Sequence, residues 1–156
     1  MLSNQPLTPA GISQVCITDP FWSKVMETVR TKMIPYQCEA LNDRIEEAEP
    51  SHCIENFKIA GKITKNAAKG IYERDAHDKF QGFVFQDSDL AKWIEAVGYS
   101  LMNHRDEKLE AIADDAITII CEAQQPDGYL DTYYILHGLE NRFTNLRDHH
   151  ELYCLG

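Results

Sequence analysis

The stretch from Ser88 to Ile120 constrains the fold more than any other part of the chain. After Ser88, Leu90, Ile94, Val97 and Leu101 recur on one face with Trp93 beside them. After Asp106, Leu109, Ile112, Ala113, Ala116, Ile117 and Ile120 do the same until Pro126. Apolar residues at spacings of three and four mark one face of an amphipathic helix. Only Asn103, His104 and Arg105 lie between the two segments, so they must turn back on each other as an antiparallel hairpin.

The helical period extends through most of the sequence. Asp19-Pro20 supplies an N-cap followed by a first-turn proline, and Phe21, Val25, Val29 and Met33 then share a face until Pro35 ends or kinks the segment. Tyr36, Ala40, Leu41 and Ile45 line a second stretch, punctuated by Pro50-Ser51. A short helix from about Ser51 to Ala60 carries Ile54 and Phe57 inward, and residues 61–79, polar and without a sustained period, read as a mobile loop. Gln125-Pro126-Asp127-Gly128 is a turn signature, and Tyr129 to Tyr134 reads as extended. The expected architecture is all-α: antiparallel helical hairpins with little strand. Residues 1–18 form an N-terminal arm and 19–156 one helical domain. No fixed-period self-similarity marks a solenoid, which favours a toroid of hairpins.

Charge and cysteine usage narrow the partners. A net charge of -10 opposes binding to duplex nucleic acid or an anionic membrane, both of which are held by Lys and Arg. No apolar run approaches the ~18 residues that span a bilayer, and the N-terminus lacks a basic region followed by an apolar one. Cys16, Cys38, Cys53, Cys121 and Cys154 are odd in number and irregularly spaced, which argues against a disulfide framework and for a cytoplasmic chain. Cys38, Cys53 and Cys121 fall among apolar neighbours and read as small core residues. Asp148 to Gly156 reads as the opening of an apolar helix, with Leu152 and Leu155 three apart. A helix that short does not hold itself together in water, so the chain is expected to be part of a larger protein.

Four ordered motifs carry a family resemblance. They are Asp19-Pro20-Phe21-Trp22; Gly82 to Asp89 followed by Lys92-Trp93-Ile94-Glu95-Ala96; Gln125 to Thr132; and His150-Glu151-Leu152-Tyr153. Together, from about residue 15 onward, they resemble the β-L-arabinofuranosidases of glycoside hydrolase family 127. The resemblance implies an (α/α)6 barrel larger than this chain, of which these residues form the first part. It also implies removal of β-L-arabinofuranosyl groups with retention, by a cysteine thiolate nucleophile, a glutamic acid as acid/base, and a zinc ion held by cysteines and a glutamate. Those residues are expected beyond this sequence. No residue here is therefore assigned as catalytic or as a metal ligand, no cofactor is expected in this chain, and zinc is expected only in the full-length family member. Cys154 is not assigned as the nucleophile.

What the resemblance does imply here is a sugar contact from His150, whose imidazole can donate or accept a hydrogen bond. On the residues alone, His149 and His150 would simply solvate a helix entrance. Phe85, Gln86 and Asp87 form the second candidate group, at a loop-to-helix junction. A flat aromatic face packs on sugar C–H groups and an amide bridges hydroxyls, while Asp87 or Ser88 is also needed as an N-cap. Asp87 with Asp89 invites a two-carboxylate glycosidase reading, disfavoured because residues two apart at a helix start diverge. Tyr129, Tyr133 and Tyr134 beside Asp127 and Asp131 rim a pocket or close a loop, and Trp22 and Trp93 sit at core spacing. The expected partner is an L-arabinofuranosyl glycan. Alternatives are a non-catalytic truncated helical chain that self-associates through uncovered apolar surface or binds carbohydrate weakly, and a segment of another (α/α) barrel enzyme such as an unsaturated uronyl hydrolase.

Overall fold

A computed structural model describes residues 8–155, and the rest of the N-terminal arm, with Gly156, lies outside the described residues. Eight helices follow one another: α1 (Pro20–Thr28), α2 (Ile34–Leu41), α3 (Cys53–Ala67), α4 (Asp87–Asn103), α5 (Glu107–Ala123), α6 (Thr132–His137), α7 (Leu146–His149) and α8 (Glu151–Leu155). No strand occurs among the described residues.

The first helix begins as its sequence demands: Asp19 Oδ1 accepts from the Trp22 amide at 2.9 Å, with proline at the first helical position. Pro35 neither ends nor breaks the rod. Between α1 and α2 the chain widens into a π-helical turn over Val29–Met33, where the Ile34 amide donates to Val29 O five residues back. Such a turn relaxes the backbone ahead of a proline, which has no N–H to give and a ring that crowds the preceding turn. Phe21, Trp22 and Met33 stay exposed, whereas Ile34 and Leu41 are buried. Of the two tryptophans only Trp93 is a core residue, its indole donating to Ile34 O at 3.0 Å.

The helical layer centres on α3, which packs along α5 and α6, while α4 packs on both α2 and α5. The helix α3 runs on to Ala67, so residues 61–67 are not loop. Gly61 is the reason for the misreading. A glycine that looks like a helix breaker is a contact point: a Cβ there would meet Glu122 Cβ at 3.2 Å, a tight contact that would push α3 and α5 slightly apart. The facing stripe on α5 is correspondingly small: Leu109, Ala113, Ala116 and Ala123 are buried, while Ile112 and Ile117 are turned outward.

The predicted α4–α5 hairpin is present, its turn closed by Asp106, which caps α5 by accepting from the Lys108 and Leu109 amides. Of the cysteines expected inside, Cys53 is buried and Cys38 partly so, but Cys121 is exposed. Residues 71–86 are irregular yet anchored. The buried Asn56 side chain bonds both the amide and the carbonyl of Gln81, and Arg74 donates to Leu136 O and to Ile135 O at the end of α6. No helix among the described residues is long and apolar enough to cross a membrane.

Candidate functional site

A buried side chain joins the starts of α4 and α6, and another ties the start of α8 to the turn just before α6. Gln86 precedes α4 without capping it. Its Oε1 accepts from the Phe83 amide at 2.9 Å and its Nε2 donates to Ser51 Oγ at 3.0 Å. Gly82 (φ 94°) lets the chain fold over this amide, for a Cβ there would overlap the Gln86 oxygen. Asp87 does not cap its own helix either. Its two oxygens accept from the Thr132 amide and hydroxyl, both at 2.6 Å, so it joins α4 to α6 across 45 residues. Burial pushes the Asp87 carboxyl above its ordinary value, and the two Thr132 bonds partly offset this.

The segment expected to be extended is a turn and a short helix. Asp131 caps α6 by accepting from the Tyr134 amide at 3.2 Å, because Asp before Thr is a helix start rather than a strand. Asp131 is 1% exposed and its second oxygen has no partner. Burial first, and the neighbouring Asp87 second, push its carboxyl up to about 7.

His150 does not open a continuous helix. It stands in the left-handed region (φ 52°) between α7, capped by Asn145, and α8. Its carbonyl accepts from the Tyr153 and Cys154 amides, and its imidazole and the Phe85 ring are T-shaped, with centroids 5.5 Å apart and planes at 81°. Phe85 is in turn stacked on Phe83 at 5.5 Å, with both rings exposed. The structure thus brings Phe85 and His150, 65 residues apart in sequence, to one surface. It places the Gln86 and Asp87 side chains beneath, already bonded. His149 faces inward, with its Nδ1 and the Tyr134 hydroxyl 3.0 Å apart.

Sequence reasoning missed Glu151. It is fully buried, with Oε1 accepting from the Tyr129 hydroxyl at 2.5 Å and Oε2 from the Phe143 amide at 2.7 Å. The only local signal was an acidic residue flanked by the two sides of an apolar helix start. Its donors come from a turn and from a distant tyrosine that periodicity does not see.

The Cys154 thiol is pushed up to about 12, by burial first and then by Asp131 and Asp87. Among the described residues, no three His, Cys, Asp or Glu side chains converge to hold a metal. A cavity of about 470 Å³ beside α2 and the start of α4 is lined by Gln37, Ser51, Gln86 and Trp93, and neither Phe85 nor His150 lines it.

Comparison with known proteins agrees with the motifs. The family model for the GH127 catalytic domain of β-L-arabinofuranosidases matches residues 14–156. A non-reducing end β-L-arabinofuranosidase of Bifidobacterium longum subsp. longum is 38% identical over 146 residues, covering 91% of this chain and 22% of the relative. Among solved structures, a GH127 β-L-arabinofuranosidase from Geobacillus stearothermophilus superposes with a TM-score of 0.77 at 52% identity, over 89% of this chain and 20% of that one. The GH127 β-arabinofuranosidase BT3674 gives a TM-score of 0.75 at 29% identity, over 94% and 22%. The chain spans about a fifth of the length of these proteins. Matched over most of its residues and sharing the helical fold of its solved relatives, this chain belongs to the GH127 β-L-arabinofuranosidase family, of whose catalytic domain it is a segment.

Proposed function

We infer that this chain forms one wall of the sugar subsite of a retaining β-L-arabinofuranosidase. Phe85 and His150 meet the furanose, and Gln86 and Asp87 hold the turn that presents Phe85. The observation carrying this reading is the Phe85–His150 pair, two rings with centroids 5.5 Å apart and planes at 81°, on one exposed surface. The exposed Phe83–Phe85 stack suits sugar C–H groups, and the imidazole can bond a ring hydroxyl. The nucleophilic thiolate, the acid/base glutamate and the zinc ligands belong to parts of the domain outside this chain. When bound there, a zinc ion would help keep the thiolate ionised near neutral pH. A cytoplasmic location fits the five free thiols.

The test uses a full-length GH127 enzyme carrying this segment. His150→Ala is expected to raise KM for a nitrophenyl β-L-arabinofuranoside by about tenfold, the loss of one good hydrogen bond, with little change in Tm. Unchanged kinetics with a lowered Tm would make His150 structural. The chain alone is expected to show no turnover and no stoichiometric zinc, and thiol-dependent hydrolysis by it would overturn the assignment.

A second reading has its own observation. Phe21, Trp22, Val25, Met33 and Tyr36 are exposed along one rod, surface of the kind that associates. On this reading the chain is a non-catalytic binder that self-associates, and sedimentation at rising concentration should show dimers or larger species. A monomer throughout would remove it.

A further inference from the structure

We propose that Glu151 is a positioning residue that sets the direction of the His150 imidazole; the functional meaning of this rests on the reading of His150 as a sugar contact. A buried carboxylate is costly to keep, and one that forms no ion pair among the described residues keeps its place only through its hydrogen bonds. Both Glu151 oxygens are taken, one by the Tyr129 hydroxyl and the other by the Phe143 amide.

Those two bonds close the chain on itself. Phe143 (φ 59°) and His150 (φ 52°) are both non-glycine residues in the left-handed region, a conformation costing on the order of 1 kcal/mol each and kept only where surroundings impose it. The Glu151 side chain ties the first of these residues to the neighbour of the second, so the turn at Phe143 and the break at His150 are held together. Tyr129 is itself fixed. Its carbonyl accepts from the Gln125 amide at 2.8 Å, its ring meets Phe143 edge-on at 5.8 Å, and the Arg142 guanidinium lies over it at 4.8 Å. Burial, and then the bond to Glu151, raise the Tyr129 phenol above its ordinary value, so it remains the donor. The path therefore runs from the turn after α5, through Tyr129 and Glu151, to the His150 backbone. From there the imidazole reaches Phe85 with only its own side-chain torsions left to choose.

The experiment follows the cross-peaks between the His150 ring and the Phe85 ring by NMR in a full-length, selectively labelled GH127 enzyme carrying this segment. They are recorded in wild type, Glu151→Gln and Tyr129→Phe, with and without methyl β-L-arabinofuranoside. An amide side chain offers one acceptor where two are needed, and phenylalanine removes one donor alone. Both variants are expected to lose the His150–Phe85 cross-peaks while keeping those between Gly61 and Glu122 on α3 and α5, and to bind the glycoside about tenfold more weakly. Retained His150–Phe85 cross-peaks in both variants overturn the proposal. So does loss of the Gly61–Glu122 cross-peaks in both, which would make Glu151 a residue of the fold. If wild type binds no glycoside, the subsite reading fails, and the cross-peaks still decide whether Glu151 orients His150.

Discussion

The layer formed by α3, α4 and α5 and the junction where α4, α6 and α8 begin are built on opposite principles. In the layer, stability comes from apolar stripes that meet because their periods match: Leu90, Trp93 and Val97 on α4, Leu109, Ala113 and Ala116 on α5. In the junction, Asp87, Thr132, Asp131 and Glu151 are buried and polar, each held by hydrogen bonds, the longest reaching across 45 residues. The layer tolerates imprecise neighbours of the right size, whereas the junction fails when any one partner is lost. A surface proposed to present Phe85 and His150 to a sugar is better founded on the second kind.

Four substitutions test that contrast, and the largest effect belongs to the layer. Trp93→Ala removes a side chain that is 4% exposed together with its bond to Ile34 O, and should cost about 4 kcal/mol in urea unfolding. A cost below about 1 kcal/mol would show that the layer is not what holds the fold.

The junction should announce itself through pH. Asp131 holds its proton up to about 7 in the folded chain against an ordinary value of 3.8. The folded state therefore binds a proton that the unfolded chain has released between about pH 4 and 7. Its contribution is complete below about pH 4 and is lost as pH rises through 7, a fall on the order of 3 kcal/mol. Asp131→Asn should flatten this slope, and equal slopes in the two proteins would end the idea. Thr132→Val leaves one Asp87 oxygen without its hydroxyl donor and should cost about 2 kcal/mol, measured in the same way. Smallest of all, Lys65→Met breaks the half-exposed ion pair with Glu122 at 2.5 Å and should change stability by less than about 0.5 kcal/mol.

What the sequence revealed follows the same division. The α4–α5 hairpin, the Asp19 and Asp106 caps and the Trp93 core position were legible because each is a local pattern. Gly61 was misread because its reason lies on another helix, and Ile112 and Ile117 because two adjacent faces of α5 are both apolar. The junction was legible only in part. Phe85 and His150 emerged through motifs, but nothing in the order of residues shows that Asp87 serves Thr132, or that Glu151 has two donors waiting. Pairings across long separations are fixed by the fold as a whole, and short-range spacing carries no trace of them.

The wide turn at Val29–Met33 acts as a phase slip within a single rod. One residue too many in a turn is equivalent to rotating everything downstream by about a hundred degrees. It decides that Ile34 and Leu41 are buried where α2 packs on α4, while Phe21 and Trp22, earlier on the same rod, stay exposed. Residue count there matters more than residue type. Exchanging Thr31 for another polar residue should be nearly silent, whereas deleting it would unscrew Ile34 from its seat and swing a different stripe inward.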